Sequence, residues 1–278
     1  MCKDCGCDHE HTQVGGEHHH HDHGLSHHHG ETNSGAGKLD DAVAADVAHS
    51  AAKPISEVTP PVRRVISLEH AVLSANDHVA AENRQFLAEN KIFAVNLISS
   101  PGAGKTALLE QTLELARRQN IPTAVLVGDQ YGEADAARLR NRGAAVTQIE
   151  VHESCHLTAA QIQTELRRSV PSGTKLLIIE NVGNLVCPVA FDLGEAMKIV
   201  LLSTPEGEDK PLKYPGAFVA ADLVLLTKMD LCSVLDYNLA QALHNVKLVH
   251  PEVEIIELSS RRGDGMDKWM EFITNNVL

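Results

Sequence analysis

Beyond residue 61 the chain alternates short apolar runs with longer stretches in which apolar positions recur at helical spacing. The runs lie at 92–98, 123–127, 146–149, 175–179, 199–202, 223–226 and 254–258, each the length of a strand covered on both faces. Amphipathic stretches predict helices near 105–119, 134–142, 157–168, 234–249 and 266–275. Leu68, Val72, Leu73, Val79, Phe86 and Leu87 predict one more helix, from Ser67 to about Asn90, ahead of the first strand. Regular alternation of strand and helix implies an α/β fold, a mostly parallel sheet flanked by helices. No internal repeat interrupts it.

Residues 1–61 carry no such pattern. They hold no aromatic residue and are rich in His, Gly, Asp, Ser and Ala, so they cannot bury enough apolar surface to offset the entropy of ordering. We read 1–61 as a disordered Cys/His-rich head and linker, with Pro54, Pro60 and Pro61 marking the approach to a folded domain at 62–278.

Charge narrows the classes of function. The formal net charge is −13 and no basic stripe stands out, which argues against a nucleic-acid partner, since that grip needs clustered Lys and Arg. No apolar stretch approaches the ~20 residues of a membrane helix, and the amino terminus lacks a basic start followed by an apolar run. A cytoplasmic protein with no membrane partner is expected, and in that reducing compartment the six cysteines read as thiols for metal rather than as disulfides.

The most specific chemistry lies between the first strand and the helix after it, in Ser99, Ser100, Pro101, Gly102, Ala103, Gly104, Lys105 and Thr106. Backbone N–H groups and a helix amino end there point at a phosphate. Lys105 reaches the terminal phosphates and Thr106 ligates magnesium, as in P-loop NTPases. Ser99 stands where the usual pattern begins with Gly. Glu180 ends another apolar run and precedes Asn181, Val182 and Gly183, the place for a magnesium carboxylate and a γ-phosphate-sensing loop. Lys105, Thr106 and Glu180 form the expected catalytic set. Asp129 and Asp135 follow the second strand as candidates for magnesium, although an acid-rich helix start predicts the same residues.

A guanine-reading segment follows the strand at 223–226. Thr227, Lys228, Met229 and Asp230 resemble the Asn-Lys-x-Asp element with Thr in first place; Asp230 accepts from guanine N–H groups while the Lys228 stem packs along the base. Ser259, Ser260 and Arg261 would complete that pocket, giving GTP as the nucleotide.

Two sets of residues suit soft metals. Cys2, Cys5 and Cys7 can converge because Gly6 permits a tight turn, and with a terminal amine they suit nickel(II) or zinc. The histidines that follow, His9, His11, His18 to His21, His23 and His27 to His29, are better placed to hold several ions than to position one. Inside the domain, Cys155, His156 and Cys187 leave the carboxyl ends of strands, with a fourth ligand required from water, His152 or a second subunit. The plainer alternative is a small buried cysteine beside a structural histidine. Cys232 reads as packing.

Taken together these residues resemble the HypB family, GTPases that assist nickel insertion during [NiFe]-hydrogenase maturation. The likeness runs from about Val62 to the carboxyl end. It rests on the segment from Glu180 through Asn184 and Cys187 to Pro188, on the segment from Glu206 to Pro215, and on the Cys2, Cys5, Cys7 start. The resemblance implies a GTP-linked homodimer with nickel or zinc held between subunits by Cys155, His156 and Cys187. It also implies a nickel site in the head, and partnership with a HypA-type metallochaperone and the hydrogenase large subunit precursor. Two segments depart from the family pattern: Val151, His152, Glu153 and Ser154 stand where a Thr-Gly-x-Gly run is common, and Gly132 stands at a switch position where Thr or Ser is expected. Rival readings are a nickel or zinc store with a regulatory GTPase domain, a structural zinc protein, and a urease-type nickel-insertion GTPase.

Overall fold

The computed structural model describes residues 62–129, 134–140, 142–151 and 154–277. The expectations for Cys2, Cys5, Cys7, the histidine tract, Gly132 and His152 lie outside them.

Seven strands form one sheet in the order β3-β2-β4-β1-β5-β6-β7: β1 Phe93–Ser99, β2 Thr123–Asp129, β3 Ala145–Glu150, β4 Leu176–Glu180, β5 Met197–Ser203, β6 Leu223–Thr227 and β7 Glu254–Glu257. Every pairing is parallel, so the sheet is wholly rather than mostly so. The longer helices are α1 Val62–Glu89, α2 Lys105–Arg118, α3 Ala134–Leu139, α4 Ala159–Arg168, α8 Leu239–Val249 and α9 Met266–Val277. Three short ones, α5 Cys187–Ala190, α6 Lys210–Lys213 and α7 Pro215–Val219, fall between α4 and α8.

Side-chain alternation divides the core in two. Val95 and Leu97 of β1 face a cluster with Leu109 of α2 and Trp269 of α9. Ala94 turns to the opposite face, toward Leu87 of α1 and Ile162 of α4, and Ile98 meets Phe218 of α7 and Val246 of α8. Helices cover both faces, which is why the strands read as unbroken apolar runs rather than alternating ones. Trp269 satisfies its buried indole N–H on the Thr112 hydroxyl at 2.9 Å.

Local chemistry fixes the ends of these elements. Thr158 and Gln161 form a reciprocal capping box that starts α4. Asn238 caps α8 by accepting from the Gln241 N–H, so this helix begins five residues later than its predicted start at Val234. The chain between passes through Asp236 at φ 52°, a turn that apolar Val234 and Leu235 conceal from a periodicity argument.

The strand order sets the position of the site. From β1 the chain travels to β2 on one side, whereas from neighbouring β4 it travels to β5 on the other. Diverging connections open a crevice above the carboxyl ends of adjacent parallel strands. Ser99 and Glu180 stand at those ends. Among the described residues no helix is long and apolar enough to cross a membrane.

Candidate nucleotide and metal sites

The loop from Ser99 into α2 turns through two glycines in the left-handed region, Gly102 at φ 75° and Gly104 at φ 101°, where a side chain would be strained. Gly104 begins α2 without any side-chain cap, leaving the first N–H groups of a 14-residue helix directed at the crevice. Ser99, in the usual Gly position, is fully buried and its hydroxyl accepts from Lys105 Nζ at 2.9 Å. The departure therefore parks the lysine rather than obstructing the loop.

Thr106 donates to Glu180 Oε1 at 3.0 Å. The other carboxylate oxygen, Oε2, is buried with no hydrogen-bond partner. Burial raises Glu180 to about 7 against the pull of Lys105, and the same burial lowers Lys105 despite the attraction of Glu180. Each opposes the other's neutralisation, and desolvation outweighs both. An orphaned carboxylate oxygen beside a threonine hydroxyl is a donor set for a hard divalent cation such as Mg2+.

A cleft of about 510 Å³ contains this arrangement, with Asp129, Asp135 and Glu180 on its wall. Arg138 lines it too, one helical turn after Asp135 and 2.8 Å from Glu110. Sequence reasoning passed over this cation because one arginine on a short acidic helix carries no motif. Gly183 lies against the phosphate loop: a Cβ built on it would come within 3.0 Å of Pro101 Cα and N.

A second cavity of about 270 Å³ opens beside the loop, lined by Thr227, Lys228, Asp230, Leu231, Ser260 and Arg261 among others. The Thr227 hydroxyl donates to the Ala103 carbonyl at 2.7 Å and Lys228 Nζ to that of Gly102 at 2.6 Å. Thr227 thus ties the base-side loop to the phosphate loop, which explains how Thr serves in the first place of the element. Ser259, expected in the base pocket, is fully buried behind it and donates to Asp230 Oδ1 at 2.7 Å. That bond fixes the orientation of the Asp230 carboxylate.

Cys155, His156 and Cys187 come together: one ligand atom from each lies within 4.8 Å of the other two. The first two sit on the connection between β3 and α4, and Cys187 opens α5. Burial lowers His156, keeping the imidazole neutral as a metal ligand must be, and hydrogen bonding to Cys155 together with burial raises the Cys187 thiol. The His156 ring stacks on Phe191 with centroids 3.8 Å apart and planes 27° apart. No spacing rule in the sequence pointed to Phe191. Cys232, read as packing, is half-buried with Sγ 3.8 Å from Met229 Sδ.

A family model described as CobW/HypB/UreG, nucleotide-binding domain, matches residues 93–257. The hydrogenase maturation factor HypB of Azotobacter vinelandii is 46% identical over 210 residues, 76% of this chain and 69% of that protein. The factor of the same name from Cupriavidus necator is 35% identical over an alignment spanning 98% of this chain and 88% of its own. Among solved structures, HypB from Helicobacter pylori in complex with nickel aligns with a TM-score of 0.68 and 38% identity, covering 73% of this chain and 95% of that one.

Proposed function

The chain belongs to the HypB family of hydrogenase maturation factors, and from that premise we propose a GTP-driven nickel metallochaperone that holds its cargo at Cys155, His156 and Cys187 and releases it according to nucleotide state. It is a P-loop GTPase, a hydrolase converting GTP to GDP and phosphate.

Convergence carries the metal half of this reading. Two thiols and an imidazole meet within 4.8 Å on segments that leave the same sheet edge as the phosphate loop, a ligand set suited to nickel(II) or zinc(II). The fourth position would come from a second subunit, so GTP-linked homodimerisation would complete or distort the site. Nickel in the H. pylori relative supports nickel as the cargo.

In the nucleotide half, the backbone of Gly102, Ala103 and Gly104 with Lys105 would hold the phosphates, and Ser100 and Pro101 would shape the turn. Thr227, Lys228, Asp230 and Ser260 would hold guanine. Thr106, Glu180, Asp129 and Asp135 would bind Mg2+, which would neutralise charge on the transferring phosphoryl group and align the leaving oxygen. Water is the nucleophile, and positioning with electrostatics does most of the work.

The division into a metal-binding head at 1–61 and a GTPase domain at 62–278 gives the chain a loading arm and a delivery site. Cys2, Cys5 and Cys7 would take nickel from a HypA-type partner, and the Cys155 site would pass it toward the hydrogenase large subunit precursor in the cytoplasm. The test is nickel titration into the chain carrying Cys2→Ser, Cys5→Ser and Cys7→Ser, with GDP or a non-hydrolysable GTP analogue, followed by X-ray absorption and sedimentation. Sulfur ligation reduced on adding Cys187→Ala, with dimers only under the GTP analogue, is the expected result. Ligation unaffected by Cys187→Ala, or an oligomeric state blind to nucleotide, would refute it.

A further inference from the structure

Three buried polar residues form a chain of their own, and only one of them, Asn181, lines the nucleotide cleft. Asn96 interrupts the apolar run of β1, Asn181 follows Glu180, and Glu195 precedes β5; their exposures are 0%, 1% and 4%. Polar groups this deep are tolerated only when partnered, and these are linked to one another. Asn181 Nδ2 donates to Asn96 Oδ1 at 3.1 Å, and Asn96 Nδ2 donates to Glu195 Oε1 at 3.1 Å. Lys198 Nζ lies 3.0 Å from the same Glu195 oxygen, so the carboxylate is charge-paired.

Both ends of this chain of bonds lead to His156. Asn181 Oδ1 accepts from two backbone N–H groups, Val182 at 2.9 Å and Leu157 at 3.4 Å. Val182 lines the nucleotide cleft, and Leu157 directly follows His156. At the far end, Glu195 Oε2 accepts from the Leu193 N–H at 2.7 Å, two residues beyond Phe191, whose ring stacks on that of His156. One arm holds the backbone beside His156 and the other holds the segment bearing its stacking partner. No bond in this network reaches Cys155 or Cys187.

We propose that Asn181 is a positioning residue that couples nucleotide state to the metal site by setting the placement of His156. This rests on the reading of the two sites given above and deepens it. Residues 181–183 line the nucleotide cleft and Gly183 lies against Pro101, so a γ-phosphate that draws this segment would move the Asn181 amide. Its longer bond, to Leu157, is the weaker of the two it accepts and yields first. The imidazole then shifts relative to the Cys187 thiol, which no bond of this network touches. Coupling of this kind needs an element with two arrangements biased from both sites, and a shared amide acceptor provides one.

The test uses the full chain carrying Cys2→Ser, Cys5→Ser and Cys7→Ser, with nickel affinity read from thiolate-to-nickel charge-transfer absorption, which the histidine tract does not give. The ratio of affinities with GDP and with a non-hydrolysable GTP analogue is the quantity measured. In this background it should be at least about fivefold, the lower end of ordinary allosteric coupling. Asn181→Ala and Asn96→Ala should bring it to within about twofold of unity. His156→Ala should do the same while two-thiolate binding persists. Phe191→Leu, a milder change at the half-buried end of the network, should lower the ratio as well, and it carries the test if the asparagine variants fail to fold. A merely structural role would weaken nickel equally in both nucleotide states and keep the ratio, which overturns the proposal. So does a background ratio of unity with nickel still bound. Nickel binding indifferent to Cys187→Ala would instead refute the parent reading, and this one with it.

Discussion

Thr106 gives its hydroxyl hydrogen to Glu180 Oε1 at 3.0 Å, and Oε2 of the same carboxylate is buried without a partner. Glu180 titrates at about 7 in the fold against an ordinary 4.5, so the folded chain holds this proton more tightly than the unfolded one. The stability it contributes is complete below about 4.5 and is lost as pH rises through about 7. Glu180→Gln removes that loss. Without metal or nucleotide the variant should match the parent near pH 4.5 and exceed it at pH ~8 by up to about 3 kcal/mol, read by denaturant melts across pH. Its Mg2+-dependent GTP hydrolysis should fall by at least about 100-fold.

Asp230 is aimed by Ser259 from behind the base pocket. Asp230→Ala leaves guanine N–H groups unpaired and should reduce the preference for GDP over ADP by at least about 100-fold. Ser259→Ala keeps the charge and loses only its orientation, so GDP should weaken by about tenfold. Calorimetric titration of both nucleotides into both variants checks the order. Equal losses would mean that Ser259 contacts the base itself.

Gly183 sits tight against the phosphate loop, where a Cβ would meet backbone atoms of Pro101 at 3.0 Å. Gly183→Ala should displace the sensing segment from the phosphate loop. The shift required is a few tenths of an ångström, so hydrolysis should slow by about tenfold, less than the ~100-fold of a full ångström, while GDP, which has no γ-phosphate to sense, should bind nearly as before. Single-turnover rates beside GDP affinity separate the two effects.

Much of this arrangement was legible in the sequence because each feature had local chemistry of its own. The seven strands announced themselves as apolar runs, and Gly102, Gly104 and Lys105 fell between a run and an amphipathic stretch. What stayed hidden depends on contacts between distant segments. The single-turn helices α5, α6 and α7 are too short to show a period, and each has Pro at its first or second position. Arg138 and Phe191 carry no spacing signal and gain meaning only from the cleft and the imidazole they reach. Asn96 drew no notice inside an apolar run, although it is the middle of a buried polar chain. The start of α8 was misplaced because exposed Val234 and Leu235 mimic a helix face while a left-handed Asp236 breaks it.

Cys155, His156 and Cys187 are all half-buried, and metal-free stability distinguishes a delivery site from a structural one. A structural zinc centre supplies folding free energy, so loss of a ligand would unfold the domain. Cys155 and His156 sit on a loop and Cys187 opens α5, and none of the three belongs to the buried apolar clusters. Cys187→Ala and His156→Ala should therefore melt within about 0.5 kcal/mol of the parent in metal-free buffer, the range of ordinary surface changes. Nickel at about 100 times its dissociation constant should stabilise the parent by about 2.7 kcal/mol and should stabilise Cys187→Ala far less. A metal-free variant that fails to fold would identify the cluster as structural. A variant that folds yet keeps the full nickel-induced shift would move the cargo elsewhere in the chain.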